Sequence, residues 1–348
     1  MKLLHIISSL EIGGAQRLLS DLLPLQKQQG LDVELLVNVK DENDFTTKIQ
    51  ESGVKIISLE EPNLYSLSNV IRLRKIIKGY DVVHVHLFPS VYWAALASIG
   101  LKVKLVYTEH STSNRRRKKP LLRPIEKFVY RQYNKIISIS QQTQDALQQW
   151  VQSTDSRFVV INNGVDVRRF SSVQRFVIPK SLIMVSRFVE SKDQETLIRA
   201  MKFVDEAAVL RLVGSGANLE HCKNVAVAVG VSDRVEFLGE RSDIAELIAE
   251  SYIGVQSSVW EGFGLTAVEL MAAGKPVIAS DVDGLKQVVE GVGVIFRKGD
   301  AEELASKISY LLENECYYES VSNACKQRAL AYDIQVMARK YSMEYWDL

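Results

Sequence analysis

The stretch YIGVQSSVWEGFGLTAVELMAA, residues 252–273, places a strand, a glycine-punctuated loop and a helix in direct succession. Its first five residues, Tyr252 to Gln256, are typical of a short buried strand, and the run from Leu265 to Ala273 is built of apolar, helix-forming residues. Gly274 and the proline two positions later end that helix. The succession predicts an α/β fold. It also puts the loop at the carboxyl end of a strand, where parallel α/β sheets bind their ligands.

Two glutamates eight positions apart frame this loop. Glu261 lies in the loop itself, and Glu269 lies one to two turns into the helix. Gly262 and Gly264 leave the backbone N–H groups at the helix start free to meet an anion. Carboxylates bind hydroxyls and amides bind phosphate, so the whole string predicts a sugar-nucleotide site. Either glutamate alone would ordinarily be a solvated surface residue.

Short apolar runs alternate with amphipathic segments almost to the end of the chain. Thirteen runs are predicted strands: Leu3–Ser8, Asp32–Val37, Val54–Ser58, Val82–His86, Lys104–Tyr107, Lys135–Ser140, Phe158–Ile161, Ser181–Val185, Val209–Val213, Val235–Phe237, Ile253–Gln256, Pro276–Ala279 and Gly293–Ile295. Buried runs joined by helices predict parallel sheets covered on both faces. The turn-rich segment 162–178 is the predicted hinge between a domain of residues 1–165 and one of residues 175–328. Residues 329–348 are predicted to form a terminal helix.

The charges of the chain are unevenly divided. Residues 1–174 carry 24 lysines and arginines against 16 aspartates and glutamates, whereas residues 175–348 carry 19 against 26. A basic half joined to an acidic half suggests two domains with different partners. The basic half should face something anionic, with membrane lipid or a phosphorylated acceptor as the leading candidates.

A run of five cations concentrates the positive charge: Arg115, Arg116, Arg117, Lys118 and Lys119. Basic residues followed by the exposed leucines 121 and 122 suit a membrane-surface or lipid-phosphate contact. A solvated charge run and a nucleic-acid site are the alternatives. Nucleic acid ranks last because no aromatic residues are interleaved and the second half is acidic.

Membrane spans and metals are not expected. No run of about 18 uncharged apolar residues could cross a bilayer. The three cysteines, at 222, 316 and 325, are sparse and lack metal-ligand spacing, which indicates a reducing, cytoplasmic compartment. Asp281 and Asp283 imitate a DxD metal motif, but Gly284 beside them favours a turn.

Further glycines and cations follow other predicted strands. Gly13 and Gly14 stand between the first strand and a helix, where paired glycines let the backbone approach a phosphate, although Gly-Gly also makes ordinary turns. Arg187 and Lys192 follow the strand that begins the second half and can neutralise a departing diphosphate, although solvated pairs are common. Gly214 begins a GxG sequence without the third glycine of a dinucleotide fingerprint, which favours a backbone approach to a nucleotide over NAD binding.

One of the five histidines stands at a reacting-centre position. His110 immediately follows the predicted strand Lys104–Tyr107, where an imidazole could hydrogen-bond a sugar hydroxyl. His5 lies inside the first strand and is predicted to be in the core. His84 and His86 alternate along one strand and therefore point to the same side.

The chain resembles the GT-B glycosyltransferases of family 4 over essentially its whole length. The resemblance is carried by Glu261-x7-Glu269, by Arg187 with Lys192, by the Gly13-Gly14 loop, by Asn163-Gly164-Val165-Asp166 and by Phe237-Leu238-Gly239. It implies two Rossmann-like parallel-sheet domains facing a central cleft, with the final helix crossing back onto the first. It also implies transfer of a sugar from a nucleotide donor, with retention of anomeric configuration and without a metal or other cofactor.

The resemblance also implies roles for single residues. Glu261 would hold hydroxyls of the donor sugar, and Glu269 the ribose of the nucleotide. Arg187 and Lys192 would bind the diphosphate. His110 would contact the donor sugar near its reacting face. The remaining implied contacts are to phosphate from Gly13, Gly14 and the amides of Phe263, Gly264 and Leu265, and to the base from the region of Glu240 and Arg241.

The sequence thus predicts a retaining, metal-independent glycosyltransferase. It would move a hexose or N-acetylhexosamine from a nucleotide-diphosphate sugar, with a UDP-sugar favoured, to a glycan or lipid-linked glycan acceptor. The segment around His110 looks most like that of enzymes building capsule, lipopolysaccharide or exopolysaccharide at the cytoplasmic membrane face. A sugar-nucleotide epimerase of GT-B fold and a non-catalytic sugar-nucleotide-binding protein are the alternatives.

Overall fold

The structure, a computed structural model, describes residues 1–11, 13–61, 63–112 and 115–348. The chain divides into two compact units. The first comprises Met1–Gly164 together with Ile334–Leu348, and the second comprises Val165–Asp333. The first break therefore lies near the start of the segment predicted as the hinge, and the last fifteen residues return to the first unit.

The first unit is built on a seven-stranded parallel sheet. Its strands are β1 (Lys2–Ile6), β2 (Asp32–Val37), β3 (Lys55–Ser58), β4 (Val82–His86), β5 (Lys104–Glu109), β6 (Lys135–Ser138) and β7 (Phe158–Val160). Its helices are α1 (Gly14–Gln28), α2 (Asp44–Glu51), α3 (Ser68–Ile77), α4 (Ser90–Ser98), α5 (Arg123–Arg131), α6 (Gln141–Val151) and the last helix of the chain, α15 (Ile334–Trp346). The strand order is β3-β2-β1-β4-β5-β6-β7.

The second unit repeats this plan with six parallel strands. They are β8 (Ser181–Val185), β9 (Val209–Val213), β10 (Val235–Gly239), β11 (Ile253–Gln256), β12 (Val277–Ser280) and β13 (Val294–Phe296). The helices are α7 (Val167–Ser171), α8 (Gln194–Ala200), α9 (Leu219–Ala228), α10 (Ile244–Glu250), α11 (Leu265–Ala272), α12 (Asp283–Val289), α13 (Ala301–Glu313) and α14 (Glu315–Leu330). The strand order is β10-β9-β8-β11-β12-β13.

Burial on both faces explains why the strands are apolar runs. In β1, Leu3 packs in the cluster under α1 and α15, whereas Leu4 and Ile6 pack in the cluster on the opposite face, which includes α4 residues. Helices on both faces are what parallel connections require. The predicted α/β class with two parallel sheets is therefore confirmed.

All thirteen predicted strands are present, with ends that differ by at most two residues. Four helices were not predicted, namely α2, α5, α7 and α12, and α7 lies within the segment predicted to be a turn-rich hinge. Polar residues fill α2, which begins after the Asn43 cap. Basic residues dominate α5. The expected turn at Asp283 is wrong, because that residue begins α12.

Candidate functional site

Strands β8 and β11 of the second unit are neighbours in the sheet although they are distant in sequence. The chain runs outward from β8 through β9 to β10 and then returns to place β11 on the other side of β8. This reversal is a topological switch point, the place where open α/β sheets bind ligands beyond the carboxyl ends of their strands. The loops after β8 and β11 meet there. The Ser257 hydroxyl donates to the Asp193 carbonyl at 2.7 Å, and the Val259 amide donates to the Ser191 carbonyl at 2.9 Å.

Lys192 and Glu261 form an ion pair across this switch point. Both side chains are largely shielded, with 20% and 17% of their surfaces exposed. The second carboxylate oxygen of Glu261 accepts a hydrogen bond of 3.2 Å from the amide of Gly262. The predicted phosphate-binding cation and the predicted sugar-binding carboxylate are therefore in direct contact.

Arg187 lies in the same loop as Lys192 and is exposed. Among the residues that the structure describes, it has no ion-pair partner, unlike Lys192. Its backbone is fixed, because its carbonyl accepts a hydrogen bond of 2.9 Å from the Gln194 side chain. Arg187 is thus a cation on an anchored backbone with its guanidinium open to an external anion.

The glycines of the Glu261 loop are required by close approach of backbones. Gly264 has a φ of +81°, in the left-handed region that side chains disfavour. A Cβ on Gly284, in the first turn of α12, would lie 2.3 Å from the Glu261 carbonyl oxygen. Leu265 then begins α11, so its amide and the preceding turn lie at a helix start. The loop is held tightly against two helix N-termini, which favour negative charge.

Phe263 and Glu269 are both buried parts of this region. Phe263 packs edge-on against Tyr332, with ring centroids 5.4 Å apart. Glu269 lies on the second turn of α11 and is only 2% exposed. The interpretation of a lone glutamate as a solvated surface residue is therefore wrong for Glu269.

Gly214 has a structural explanation that differs from the predicted approach to nucleotide. Its φ is +131°, and a Cβ there would lie 2.1 Å from the Ser186 carbonyl oxygen. Gly216 is confined in the same way against the Phe188 carbonyl. These glycines let the loop after β9 pack on the loop after β8. Arg241, predicted near the base, is exposed and holds Asp243 through a hydrogen bond of 2.8 Å from Nε.

In the first unit, Gly13 and Gly14 lie where predicted, at the start of α1. Gly13 caps the helix in extended conformation, with no side-chain hydrogen bond to the helix amides. A Cβ on Gly14 would meet nothing within 4 Å. Neither glycine has a positive φ, so backbone strain does not demand glycine here. Among the described residues, no side chain caps the first amides of α1.

His110 follows β5 and belongs to a connected cluster of histidines. Its Nε2 lies 3.1 Å from His86 Nδ1, and His86 Nε2 lies 3.0 Å from His5 Nδ1. His84 bonds Tyr345 at 2.6 Å and Thr108 at 2.7 Å. The cluster lies at the switch point of the first sheet, where β1 and β4 are neighbours. The prediction that His84 and His86 point to the same side is confirmed, but their link to His110 was not predicted.

Burial keeps these imidazoles neutral. Loss of solvation lowers the pKa of His110 to about 4 and that of His5 to about 3. The pKa values of His84 and His86 are lowered well below the ordinary value, first by burial and then by the neighbouring histidines. Near neutral pH each ring therefore has one N–H donor and one acceptor nitrogen.

The nitrogens of His5, His84 and His86 lie within 4.8 Å of one another, a spacing that could hold a metal ion. However, both ring nitrogens of His84 and both of His86 already have hydrogen-bond partners. A metal would have to break these bonds, so the cluster fits a hydrogen-bonded network better.

The membrane interpretation of the basic run needs a correction for Arg116 and Arg117. Arg116 bonds the fully buried Glu126 at 2.7 Å and lies over the ring of Phe88, 4.3 Å from its centroid. Arg117 bonds the buried Glu109 at 2.7 Å. Both cations therefore neutralise interior carboxylates. Lys119 is exposed, and the side chains of Arg115 and Lys118 lie outside the described part of the structure.

Comparisons with known proteins agree with this architecture. The family described as "Glycosyl transferases group 1" matches residues 170–329, and "Glycosyltransferase Family 4" matches residues 12–169. An uncharacterized glycosyltransferase of Methanocaldococcus jannaschii is 30% identical over 244 residues, which cover 68% of this chain and 67% of that protein.

Two further proteins are informative. The N,N'-diacetylbacillosaminyl-diphospho-undecaprenol α-1,3-N-acetylgalactosaminyltransferase of Campylobacter jejuni is 30% identical over 166 residues, covering 47% of this chain and 44% of that enzyme. HepE of Anabaena, solved in complex with UDP, is 22% identical and superposes with a TM-score of 0.89 over 100% of both chains. It has also been solved with UDP-glucose. Through its family matches, relatives and fold, this chain belongs to the GT-B glycosyltransferases of family 4.

Proposed function

We propose that this glycosyltransferase moves a hexose or N-acetylhexosamine from a UDP-sugar to a lipid-linked glycan during surface polysaccharide synthesis, with retention and without a metal. The observation that carries the proposal is the meeting of Lys192 and Glu261 at the switch point of the second sheet, beside the exposed Arg187. A carboxylate for hydroxyls thus stands next to cations for phosphate. The UDP complexes of HepE support the choice of nucleotide.

The contact between Lys192 and Glu261 suggests how the donor is received. Without a donor, each side chain neutralises the other in a shielded position. A diphosphate beside Lys192 would supply a second anion to the cation, and sugar hydroxyls would supply donors to Glu261. Arg187 would add the charge that Lys192 alone does not provide. The site therefore exchanges an internal ion pair for a wider network without leaving a buried charge unpaired.

A front-face mechanism fits this set of residues. The acceptor oxygen forms a bond to the anomeric carbon on the side from which the diphosphate leaves. The acceptor proton passes to the departing diphosphate oxygen, so no protein nucleophile or base is required. Arg187 and Lys192 stabilise the negative charge that grows on the leaving group, which is where such cations act most strongly. Glu261 and His110 would hold the sugar.

Independence of metals is supported by the surroundings of the DxD-like sequence. Asp281 pairs with Lys286 at 2.9 Å, and Asp283 begins α12. Both groups are explained without an ion. The cationic pair Arg187 and Lys192 would take over the task that a divalent metal performs in other phosphate sites.

A lipid-linked acceptor is supported by an apolar stripe on α5 and the turn before it. Leu121, Ile125 and Phe128 are 89%, 50% and 46% exposed, and their spacing places them on one helix face. Exposed Lys119 and Arg131 flank the stripe. Apolar anchors beside cations suit the surface of an anionic membrane. We propose that Leu121, Ile125 and Phe128 together form the docking surface for the membrane. The Campylobacter relative acts on an undecaprenol-linked substrate, as its name states.

A thermal-shift screen of UDP-, GDP- and ADP-sugars tests the donor assignment. A ligand at 100 times its Kd stabilises the protein by about 2.7 kcal/mol, so the matching nucleotide should raise Tm clearly. We expect the UDP series to do so with EDTA present. Product analysis separates the rivals. An epimerase would convert the donor without acceptor, and a binding protein would leave it intact even with acceptor.

A further inference from the structure

His110 ends a continuous chain of imidazoles that reaches into the core of the first unit. The chain runs from His5 Nδ1 to His86 Nε2 at 3.0 Å, and from His86 Nδ1 to His110 Nε2 at 3.1 Å. His5 and His86 are fully buried, whereas His110 is partly exposed. Among the described residues, no partner bonds His110 Nδ1. That nitrogen is the only end of the chain that an external ligand could meet.

A neutral chain of this kind has only two proton arrangements. Each imidazole has one N–H, and each link needs one donor and one acceptor. Either all three rings carry the proton on Nδ1, so that His110 Nδ1–H donates outward, or all three carry it on Nε2, so that His110 Nδ1 accepts. The two arrangements differ at both ends of the chain. The buried end at His5 therefore decides which of them is favoured.

Gln26 lies at that buried end. The His5 Nε2 and Gln26 Oε1 atoms are both buried, and neither makes a hydrogen bond of ordinary geometry to another described residue. Gln26 is also the neighbouring side chain that acts to raise the pKa of His5, against the larger lowering by burial. The Gln26 amide nitrogen is directed elsewhere, to the Tyr345 hydroxyl at 3.4 Å. With its nitrogen so engaged, Gln26 has its amide oxygen left to offer His5 as an acceptor.

An acceptor at the buried end selects one arrangement. An Nε2–H on His5 gives the unpaired amide oxygen a complementary neighbour, whereas a lone pair there would face another lone pair. The His5 Nδ1 atom then accepts from His86 Nε2–H, and His86 Nδ1 accepts from His110 Nε2–H. We propose that Gln26, His5 and His86 are positioning residues that hold His110 in the Nε2–H tautomer, so that His110 Nδ1 accepts a hydrogen bond from a donor-sugar hydroxyl. This inference rests on the donor role of His110 in the proposed function.

Nitrogen NMR of protein labelled with ¹⁵N-histidine tests the arrangement directly. The protein has only five histidines, so single substitutions assign the signals of every ring. We expect His5, His86 and His110 to carry their protons on Nε2 in the wild-type protein. A proton on His110 Nδ1 would overturn the inference. The tautomers are read in the wild-type protein, and the variants serve only to assign the signals.

The Gln26→Leu variant tests whether Gln26, at the buried end of the histidine series, controls the tautomer of His110 at the exposed end. Losing the acceptor leaves a buried N–H unpaired, so the His110 ring should shift toward the Nδ1–H form. We expect kcat for sugar transfer to fall about tenfold while KM stays within about twofold. Gln28→Leu, an exposed glutamine on the same helix, is the matched control and should change neither quantity.

The two readouts separate this inference from the proposed function. The tautomer shift is measured without any substrate, so it would survive if the protein transferred no sugar. Conversely, unchanged His110 nitrogen signals in folded Gln26→Leu would overturn the inference even in a fully active enzyme.

Discussion

Lys192 and Glu261 are 69 positions apart in sequence and form an ion pair across the gap between the loops that follow β8 and β11. The contact exists because the sheet reverses direction there and places these two strands side by side. It joins the two kinds of group that a sugar nucleotide requires, a cation and a carboxylate.

Replacing Glu261 with Gln should remove the charged acceptor for the donor sugar and leave Lys192 unpaired. Hydrogen bonds to charged groups contribute about 1.5–3 kcal/mol each, so kcat/KM should fall at least about 100-fold. Steady-state kinetics measures this loss, and circular dichroism checks that the fold persists. Glu290→Gln, at an exposed glutamate that directly follows α12, is the control and should be neutral. Full transfer by Glu261→Gln would contradict the assignment.

The losses of kcat/KM caused by replacing Lys192 and Glu261 should be non-additive. Residues in contact typically show coupling of about 0.5–3 kcal/mol in double-mutant cycles. The double variant of Lys192→Met with Glu261→Gln should therefore lose less than the sum of the single losses, because neither change then leaves a charge unpaired. Strict additivity in kcat/KM would show that the contact has no role in the active protein.

Arg187→Ala should weaken nucleotide binding more than it affects stability. The guanidinium is exposed and has no ion-pair partner among the described residues, so its loss removes no ion pair there. We expect the Kd for UDP, measured by titration calorimetry, to rise about 10- to 100-fold. Arg297→Ala is a suitable control, since that side chain is 82% exposed and lies outside the candidate site. Equal effects of the two substitutions would argue against a phosphate contact.

Gly14→Ala should affect binding of the donor without lowering the stability of the fold. The position has open space and lies at a helix start, so alanine should be neutral or stabilise the unliganded protein by up to about 1 kcal/mol. Donor affinity should nevertheless fall if phosphate approaches this backbone closely. By contrast, Gly284→Ala should destabilise, because its Cβ would collide with the Glu261 carbonyl. Unchanged donor binding by Gly14→Ala would remove the first loop from the site.

The proposed docking surface can be tested with vesicles. Leu121→Gln combined with Phe128→Gln should reduce sedimentation with phosphatidylglycerol-containing vesicles and leave the weak binding to pure phosphatidylcholine unchanged. The matched control is Val227→Gln with Leu330→Gln, which alters exposed apolar residues of the second unit. Equal vesicle binding by the wild type and the stripe variant would exclude this surface.

As the pH falls, the first unit should begin to lose stability at pH values above those at which carboxylates titrate. The folded pKa values of His5 (about 3) and His110 (about 4) lie below the unfolded value of 6.5, so the unfolded chain binds protons first. Stability is therefore complete above about pH 6.5 and declines as the pH falls toward 4. Each such histidine contributes about 1.4 kcal/mol per pH unit.

Tryptophan fluorescence can follow this loss in the first unit alone. Trp93, Trp150 and Trp346 belong to that unit, so a Trp260→Phe background isolates its signal. We expect the urea midpoint to be lower at pH 5 than at pH 7, and His5→Leu to reduce the difference. A midpoint that does not change between these pH values would show that the histidines are not buried and neutral.

Much of the fold was predictable because buried parallel strands are continuous apolar runs, and every one of the thirteen was found. The amphipathic α5 was not predicted, since its Arg123–Arg131 sequence looks like a charge run until Glu126 and Val129 are seen to be buried. Sequence spacing could predict Glu261 and Lys192 separately. It could not predict their contact, because strand order is a property of the folded sheet.

Two sets of contacts could not be predicted from the sequence, for the same physical reason. Arg116 and Arg117 looked like surface charges because the sequence does not show that Glu126 and Glu109 are buried beside them. The approach of Gly214 to a nucleotide stays a prediction, but the sequence does not show the Ser186 carbonyl that leaves no room for a Cβ at this position. In both cases a partner distant in sequence supplies the explanation.

The most direct test of the central claim is the anomeric configuration of the product formed from an α-linked UDP-sugar and a lipid-linked glycan in the presence of EDTA. The wild-type enzyme should give an α-linked product, read from the small anomeric proton coupling in NMR, and Glu261→Gln should give essentially none. A β-linked product, or transfer that stops when EDTA is added, would contradict the account.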